Sequence, residues 1–213
     1  GMLFSGLSAK KVYFARGMYF HDAQQWLNYS LSLLAEYIFY FKTSGTISQS
    51  SEDVDRMCRL PFVSSNKFFV VHNGIDQKKF RFYERDFNFD PGIMLVSVGR
   101  LVPEKGFLDV VQALKFLEQR GINATYTVVG GYLKDVTSVD GDWFSHEVRR
   151  LGMSHRVKVT GFVDDVERFL LSAHVMIQSS HREGFPRAIL EGMSSGLIVV
   201  ATDIRGAREL MGS

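Results

Sequence analysis

From Pro91 onward the chain alternates short continuous apolar runs with stretches whose apolar residues recur at helical spacing. A short apolar run without polar alternation predicts a strand buried on both faces, and a spacing of three to four predicts an amphipathic helix. On this basis "GIMLVSVGR" (92 to 100), "ATYTVVGG" (124 to 131), "RVKVTGF" (156 to 162), "HVMIQSS" (174 to 180) and "LIVVATD" (197 to 203) are strands. Between them "FLDVVQALKFLEQRG" (107 to 121), "DWFSHEVRRLG" (142 to 152), "DDVERFLLSA" (164 to 173) and "PRAILEGMSS" (186 to 195) are helices, the first of them stopped by Gly121. Strands that alternate with helices predict an α/β domain, a doubly wound parallel sheet of the Rossmann-like kind.

Residues 1 to 60 carry the same alternation with fewer strands: "KKVYFA" (10 to 15), a long aromatic helix from about Ala23 to Lys42, "GTISQ" (45 to 49) and a capped helix starting near Ser51. They predict a partial N-terminal domain. Residues 61 to 67 are expected to be the linker, and 68 to 213 a second domain that opens with the strand and Asn-Gly turn of "FFVVHNGID".

Composition narrows the function classes. The chain has 213 residues, 46% hydrophobic, with 25 basic against 23 acidic residues, so it is globular and carries no basic tract for nucleic acid. A single cysteine, Cys58, excludes an internal disulfide and fits a reducing, cytoplasmic setting. Gly1 before Met2 reads as a tag scar, and no secretory pattern follows it. "SLSLLAEYIFYF" (30 to 41) is too short to span a bilayer and holds Glu36, although its aromatic end permits peripheral membrane contact.

In a doubly wound sheet ligands bind beyond the carboxyl ends of the strands, which directs attention to two loops. After the strand at 174 to 180 comes "HREGFP", in which Pro186 has the fixed φ suited to a first helical position. The free N–H groups of that helix start, with its positive dipole end, suit a phosphate. Glu183 would lie beside the ligand and Glu191 about 7 Å farther along the helix at ~1.5 Å per residue. The plain alternative is a solvated Glu183 and a Glu191 paired with Arg187 at i,i+4. After the strand at 92 to 100, Arg100 and Lys105 are two cations that can clamp a diphosphate, the plain alternative being two solvated side chains. Gly130 and Gly131 permit close backbone approach to a ligand, which turn geometry explains equally well, and Phe162 and Val163 can offer backbone groups to a base edge.

Taken in order, "HNGID" (72 to 76), "SVGRLVPEKG" (97 to 106), "VVGGY" (128 to 132), "VTGFVDDVERFLLSAHV" (159 to 175) and "EGFPRAILEGMSSG" (183 to 196) resemble the retaining glycosyltransferases of family 4, which have the two-domain GT-B fold. The resemblance implies a metal-independent transfer of a hexose or N-acetylhexosamine from a nucleoside diphosphate, UDP or GDP in type, to a saccharide or lipid-linked acceptor in bacterial surface polysaccharide synthesis. It gives Arg100 and Lys105 the diphosphate, Glu183 the donor sugar at the reacting end, and Glu191 the ribose hydroxyls. Backbone around Gly184, Phe185 and Pro186 would contact sugar and phosphate. No cofactor and no metal is implied. Asp53-Val54-Asp55 and Asp140-Gly141-Asp142 match the D-x-D pattern of metal-dependent transferases, yet both fall at helix starts, where acids favour the dipole.

The chain departs from the family where "VYFARGMYFHD" (12 to 22) has Arg16 before Gly17 in place of the expected His, with His21 nearby. Much of the N-terminal domain and the last strands are expected to be absent, which would leave edges open to self-association. The rival expectation is a noncatalytic nucleotide-sugar-binding fragment that needs a partner chain.

Overall fold

The structure, a computed structural model, describes residues 10–15, 26–85, 87, 89–132 and 142–212. Arg16, His21 and Asp140 lie outside the described residues. The chain divides into two compact units, one reaching to Asn73 and the other spanning Gly74–Met211.

The first unit is a three-stranded parallel sheet, β1 (Val12–Ala15), β2 (Gly45–Ser48) and β3 (Phe68–Val70), in that order. Helix α1 (Trp26–Lys42) buries Tyr40 against Phe68 with ring centroids 5.4 Å apart, and the Tyr40 hydroxyl accepts from the Ser64 N–H at 2.8 Å. Glu36, the acid that argued against a membrane span, is buried at 2% exposure and accepts from the Tyr13 hydroxyl at 3.3 Å. Helix α2 (Ser51–Cys58) starts where Ser50 accepts from the Asp53 N–H, an N-cap that satisfies one orphan donor. Asp53 thus sits in the first turn of a helix, as its D-x-D setting predicted.

One boundary differs from the sequence expectation. Residues 68–70 pair with β2 in parallel register, Thr46 opposite Phe68 and Ser48 opposite Val70. The division falls after Asn73, and 61–67, which includes the 3-10 helix Ser65–Lys67, lies inside the first unit. Hydrophobic pattern locates a strand; it does not say which sheet the strand joins.

The second unit is a five-stranded parallel sheet in the order β6-β5-β4-β7-β8: β4 (Ile93–Val98), β5 (Ala124–Val129), β6 (Val157–Val159), β7 (Val175–Gln178) and β8 (Ile198–Ala201). Alternate residues of one strand enter opposite cores. Leu95, Tyr126 and Val128 pack under α3 (Phe107–Gln119) and α4 (Trp143–Arg150), while Val96, Val129 and Met176 pack with Leu170 of α5 (Glu167–Leu171) on the other face. This is the doubly wound arrangement that unbroken apolar strands predict. Gly121 ends α3 with φ +74, the left-handed stop. Helices α6 (Arg187–Ser194) and α7 (Arg205–Met211) complete the unit. Among the described residues no helix is long and apolar enough to cross a membrane.

Two local expectations shift. Pro186 is the N-cap of α6, with φ −74 and ψ 99, and the helix proper begins at Arg187. Asp142 precedes α4 without capping it through its side chain; instead its Oδ1 accepts from the Tyr132 hydroxyl at 3.3 Å, and the same hydroxyl accepts from the Phe144 N–H at 3.0 Å. Tyrosine here takes over the role assigned to the acid.

Candidate active site

Strand order reverses between β4 and β7: the chain runs outward from β4 through β5 to β6, then returns to the other side of β4. In open α/β sheets the crevice that takes a ligand lies outside the carboxyl ends of the strands at such a switch point. The registers Val98–Val129, Val128–Val159 and Gln178–Ala201 bring the ends of the strands level, so the loops at 99, 130, 160, 179 and 202 share one rim.

The loops after β4 and β7 are stapled together. His181 N–H donates to the Glu104 carbonyl at 2.8 Å, Ser179 Oγ donates to the Lys105 carbonyl at 2.9 Å, and His181 Nε2 meets Asp109 Oδ2 at 2.8 Å. Gly106 makes this approach possible: its φ is +64, and a Cβ there would lie 2.1 Å from the Ser179 carbonyl oxygen. The first loop closes as a 3-10 turn over Pro103–Lys105, which presents Lys105 toward the second.

Lys105 and Glu183, 78 residues apart in sequence, form an ion pair. Glu183 is not a solvated loop acid: its side chain is 17% exposed, and its Oε1 also accepts from Gln178 Nε2 and Ser180 Oγ, each at 2.9 Å. Thr202, after β8, supports this loop by donating its N–H to the Gln178 carbonyl at 3.0 Å and its hydroxyl to the Ser180 carbonyl.

Arg100, at the start of the same loop as Lys105, is exposed. It lines a cavity of about 200 Å³ together with Gly99, Gly130, Phe162 and Val163. Gly130 is required here, since φ is +147 and a Cβ would lie 1.8 Å from the Gly99 carbonyl oxygen. Gly131 is buried and its carbonyl accepts from the Leu101 N–H at 3.0 Å, tying the β4 loop to the β5 loop. Phe162 is 60% exposed, an apolar ring at the mouth.

Glu191 lies on α6 among different partners. Arg187 Nη2 is 3.8 Å from its Oε1, so the i,i+4 pair weighed from the sequence exists, at long range. Burial pushes the Glu191 carboxyl above the usual carboxylate range, Arg187 and Lys79 oppose the rise, and Glu167 adds to it. Lys79 itself pairs with Glu167 Oε2 at 3.2 Å and donates to the Asp164 carbonyl at 2.9 Å. Phe185 and Pro186 are buried at the start of α6, and the Gly184 carbonyl packs against α7, where a Cβ on Gly206 would lie 2.4 Å away.

The structure thus joins Lys105 to Glu183, and groups Arg100 with Gly130, Phe162 and Val163. Glu191 stands in a separate charged cluster. Sequence reasoning missed Gln178, Ser180 and Lys79; for Gln178 the signal was a polar side chain closing an otherwise apolar strand.

A parallel sheet whose strand order reverses at β4 and β7, with helices on both faces, defines the doubly wound class, in which ligands bind beyond the carboxyl ends of the strands. The chain belongs to the glycosyl transferases group 1 family, whose model matches residues 79–213. It is 30% identical over 152 residues to the amylovoran biosynthesis glycosyltransferase AmsK of Erwinia amylovora, which covers 69% of this chain and 36% of that protein. It is 24% identical over 207 residues to the capsular polysaccharide biosynthesis glycosyltransferase CapM of Staphylococcus aureus, covering 92% of this chain and 53% of that one. Among solved structures it shares the fold of Anabaena HepE in complex with UDP and glucose, with a TM-score of 0.74 at 22% identity over 93% of this chain and 54% of the other. The chain therefore spans about a third to a half of the length of these curated relatives. The fold expected from the sequence, the Rossmann-like domain of a GT-B glycosyltransferase, is the one found.

Proposed function

We propose that this chain carries the donor half of a retaining, metal-independent glycosyltransferase of family 4. It takes a sugar from a nucleoside diphosphate, UDP or GDP in type, and its parent enzyme passes that sugar to a saccharide or lipid-linked acceptor in bacterial surface polysaccharide synthesis, in the cytoplasm. The contact between Lys105 and Glu183 carries this reading, because it puts a cation and a carboxylate from two different loops at one point of the crevice. A relative from Escherichia coli named for transfer from UDP-Gal to a GlcNAc-diphosphoundecaprenol supports the donor and acceptor classes; it is 25% identical over 174 residues.

In this scheme the diphosphate lies against the amino end of α6, where the helix dipole and first-turn N–H groups favour an anion. Lys105 and Arg100 take up the charge that develops on the leaving group, the largest electrostatic demand of the reaction. Glu183 faces the donor sugar, and backbone at Gly184, Phe185 and Pro186 contacts sugar and phosphate. Glu191 accepts the ribose hydroxyls, for which a buried carboxylate short of donors is suited. Gly130, Gly131, Phe162 and Val163 frame the base.

Calorimetric titration with UDP, GDP and ADP, each with and without a glycosyl group, tests the proposal. Tight binding of one nucleotide sugar with slow donor hydrolysis that Glu183→Gln abolishes is the expected result. Binding without hydrolysis or transfer would leave the second reading, a donor-binding half that acts with a partner chain. No binding of any of the three would overturn both.

A further inference from the structure

β7 (Val175–Gln178) ends on a buried polar side chain. Gln178 is 3% exposed and its backbone is held by β8 through the Thr202 N–H. Its amide Nε2 donates to Ser180 Oγ at 2.8 Å and to Glu183 Oε1 at 2.9 Å, while Ser180 Oγ donates to the same carboxylate oxygen at 2.9 Å. Lys105 Nζ is the third donor on that oxygen. None of the hydrogen bonds of the described residues uses Oε2 of Glu183. Meanwhile the carbonyl oxygen of the Gln178 side chain is buried with no hydrogen-bond partner among the described residues. An unmatched buried acceptor is costly, and this strand end bears that cost while the amide Nε2 serves Ser180 and Glu183. A local rule broken at the expense of stability marks a site.

Given the reading of Glu183 as the carboxylate beside the donor sugar, on which this inference rests, we infer that Gln178 is a positioning residue. With Ser180 it clamps Oε1 of Glu183 and reserves Oε2 for the hydroxyls of the donor sugar. Three donors on one oxygen leave the carboxylate a single orientation. They also separate two duties of Lys105. When a diphosphate draws the lysine toward itself, two neutral donors still hold Glu183, and the acid is neither freed nor turned. A leucine or methionine in place of Gln178 would leave the acid dependent on the very cation the ligand takes.

The test is calorimetry on the full chain with UDP-glucose against UDP and GDP-mannose against GDP, read as the affinity ratio of sugar nucleotide to nucleoside diphosphate, alongside thermal unfolding. Gln178→Met is expected to lower that ratio about tenfold, as loss of a hydrogen bond to a charged group does, with nucleoside diphosphate affinity held within about twofold and Tm unchanged or raised. Ser180→Ala, a milder change, should move the ratio the same way by about threefold. In a Glu183→Gln background, where the ratio is already lost, Gln178→Met should add nothing. A preserved ratio in Gln178→Met beside a lost one in Glu183→Gln would overturn the positioning role alone. A parallel fall of Tm and both affinities would assign Gln178 to structure and overturn it too. Failure of the wild-type chain to bind either pair, or an intact ratio in Glu183→Gln, would remove the reading of the site, and the positioning role with it.

Discussion

Glu183 and Glu191 are eight residues apart and similarly enclosed, with side chains 17% and 14% exposed, yet their surroundings differ in kind. The loop after β7 surrounds Glu183 with a lysine, an amide and a hydroxyl, all meeting one oxygen. The face of α6 gives Glu191 a distant arginine and a neighbouring glutamate, and its carboxyl is pushed above the usual range by burial. One acid is held by three donors on one oxygen; the other, among the described residues, has only an arginine at 3.8 Å. Burial alone therefore does not assign a role to a carboxylate. The donors around it do.

The comparison breaks most visibly at Glu183. Glu183→Gln should lower donor hydrolysis or transfer by about 10²–10³-fold, the scale of losing one preorganised charged group, while nucleoside diphosphate affinity changes little. Equal losses in rate and in nucleotide affinity would mean the two acids share one role. Next in size, Gly106→Ala forces a Cβ to 2.1 Å from the Ser179 carbonyl at φ +64. It should cost about 3 kcal/mol in chemical unfolding, because the staple between the β4 and β7 loops must open. Lys105→Ala should weaken diphosphate binding by about 2 kcal/mol, the worth of a charge-assisted contact, as read by calorimetry. An unchanged affinity would take Lys105 out of the ligand site and leave it only as the partner of Glu183.

The smallest effects sharpen the other side. Glu191→Gln should weaken nucleoside diphosphate binding about tenfold and leave inorganic pyrophosphate unaffected, since only the former carries ribose hydroxyls. Linkage gives a second readout. The folded-state value of Glu191 is raised, so below the usual carboxylate range both states are protonated and its contribution to stability is fully present. As pH rises through the raised value, the enclosed carboxyl must ionise and that contribution is lost. Replacing it with glutamine removes the loss, and Tm at neutral pH should rise by about 2 °C. Ligand binding runs in the opposite direction: hydroxyl donors favour the ionised acid, so wild-type nucleotide affinity should fall as pH drops through the same range, and Glu191→Gln should flatten that slope.

Much of this was legible in the chain. Unbroken apolar runs at 92 to 100 and 124 to 131 forecast strands covered on both faces, and Leu95 and Val96 do enter opposite cores. Pairing was less legible. Residues 68 to 70 read as the first strand of the second domain, but they join β2, because hydrogen-bond partners of a strand are set by chain path and not by local pattern. At the site, Arg100, Lys105, Glu183 and Glu191 were named from spacing and charge. Gln178 and Ser180 are harder to read: a polar side chain closing an apolar strand shows that something is served there, and only the fold shows that it is Glu183.

By itself the sequence determined the alternation of strands and helices, the stop of α3 at Gly121, and the charges available beyond the strands. Those follow from local sterics and from the period of burial, which neighbours along the chain can express. Only the tertiary structure decided that Lys105 meets Glu183, that Glu191 keeps to a separate cluster, and that three donors crowd one oxygen. Side-chain partners 78 residues apart are chosen by strand order and register, and the order β6-β5-β4-β7-β8 places the ends of β4 and β7 side by side.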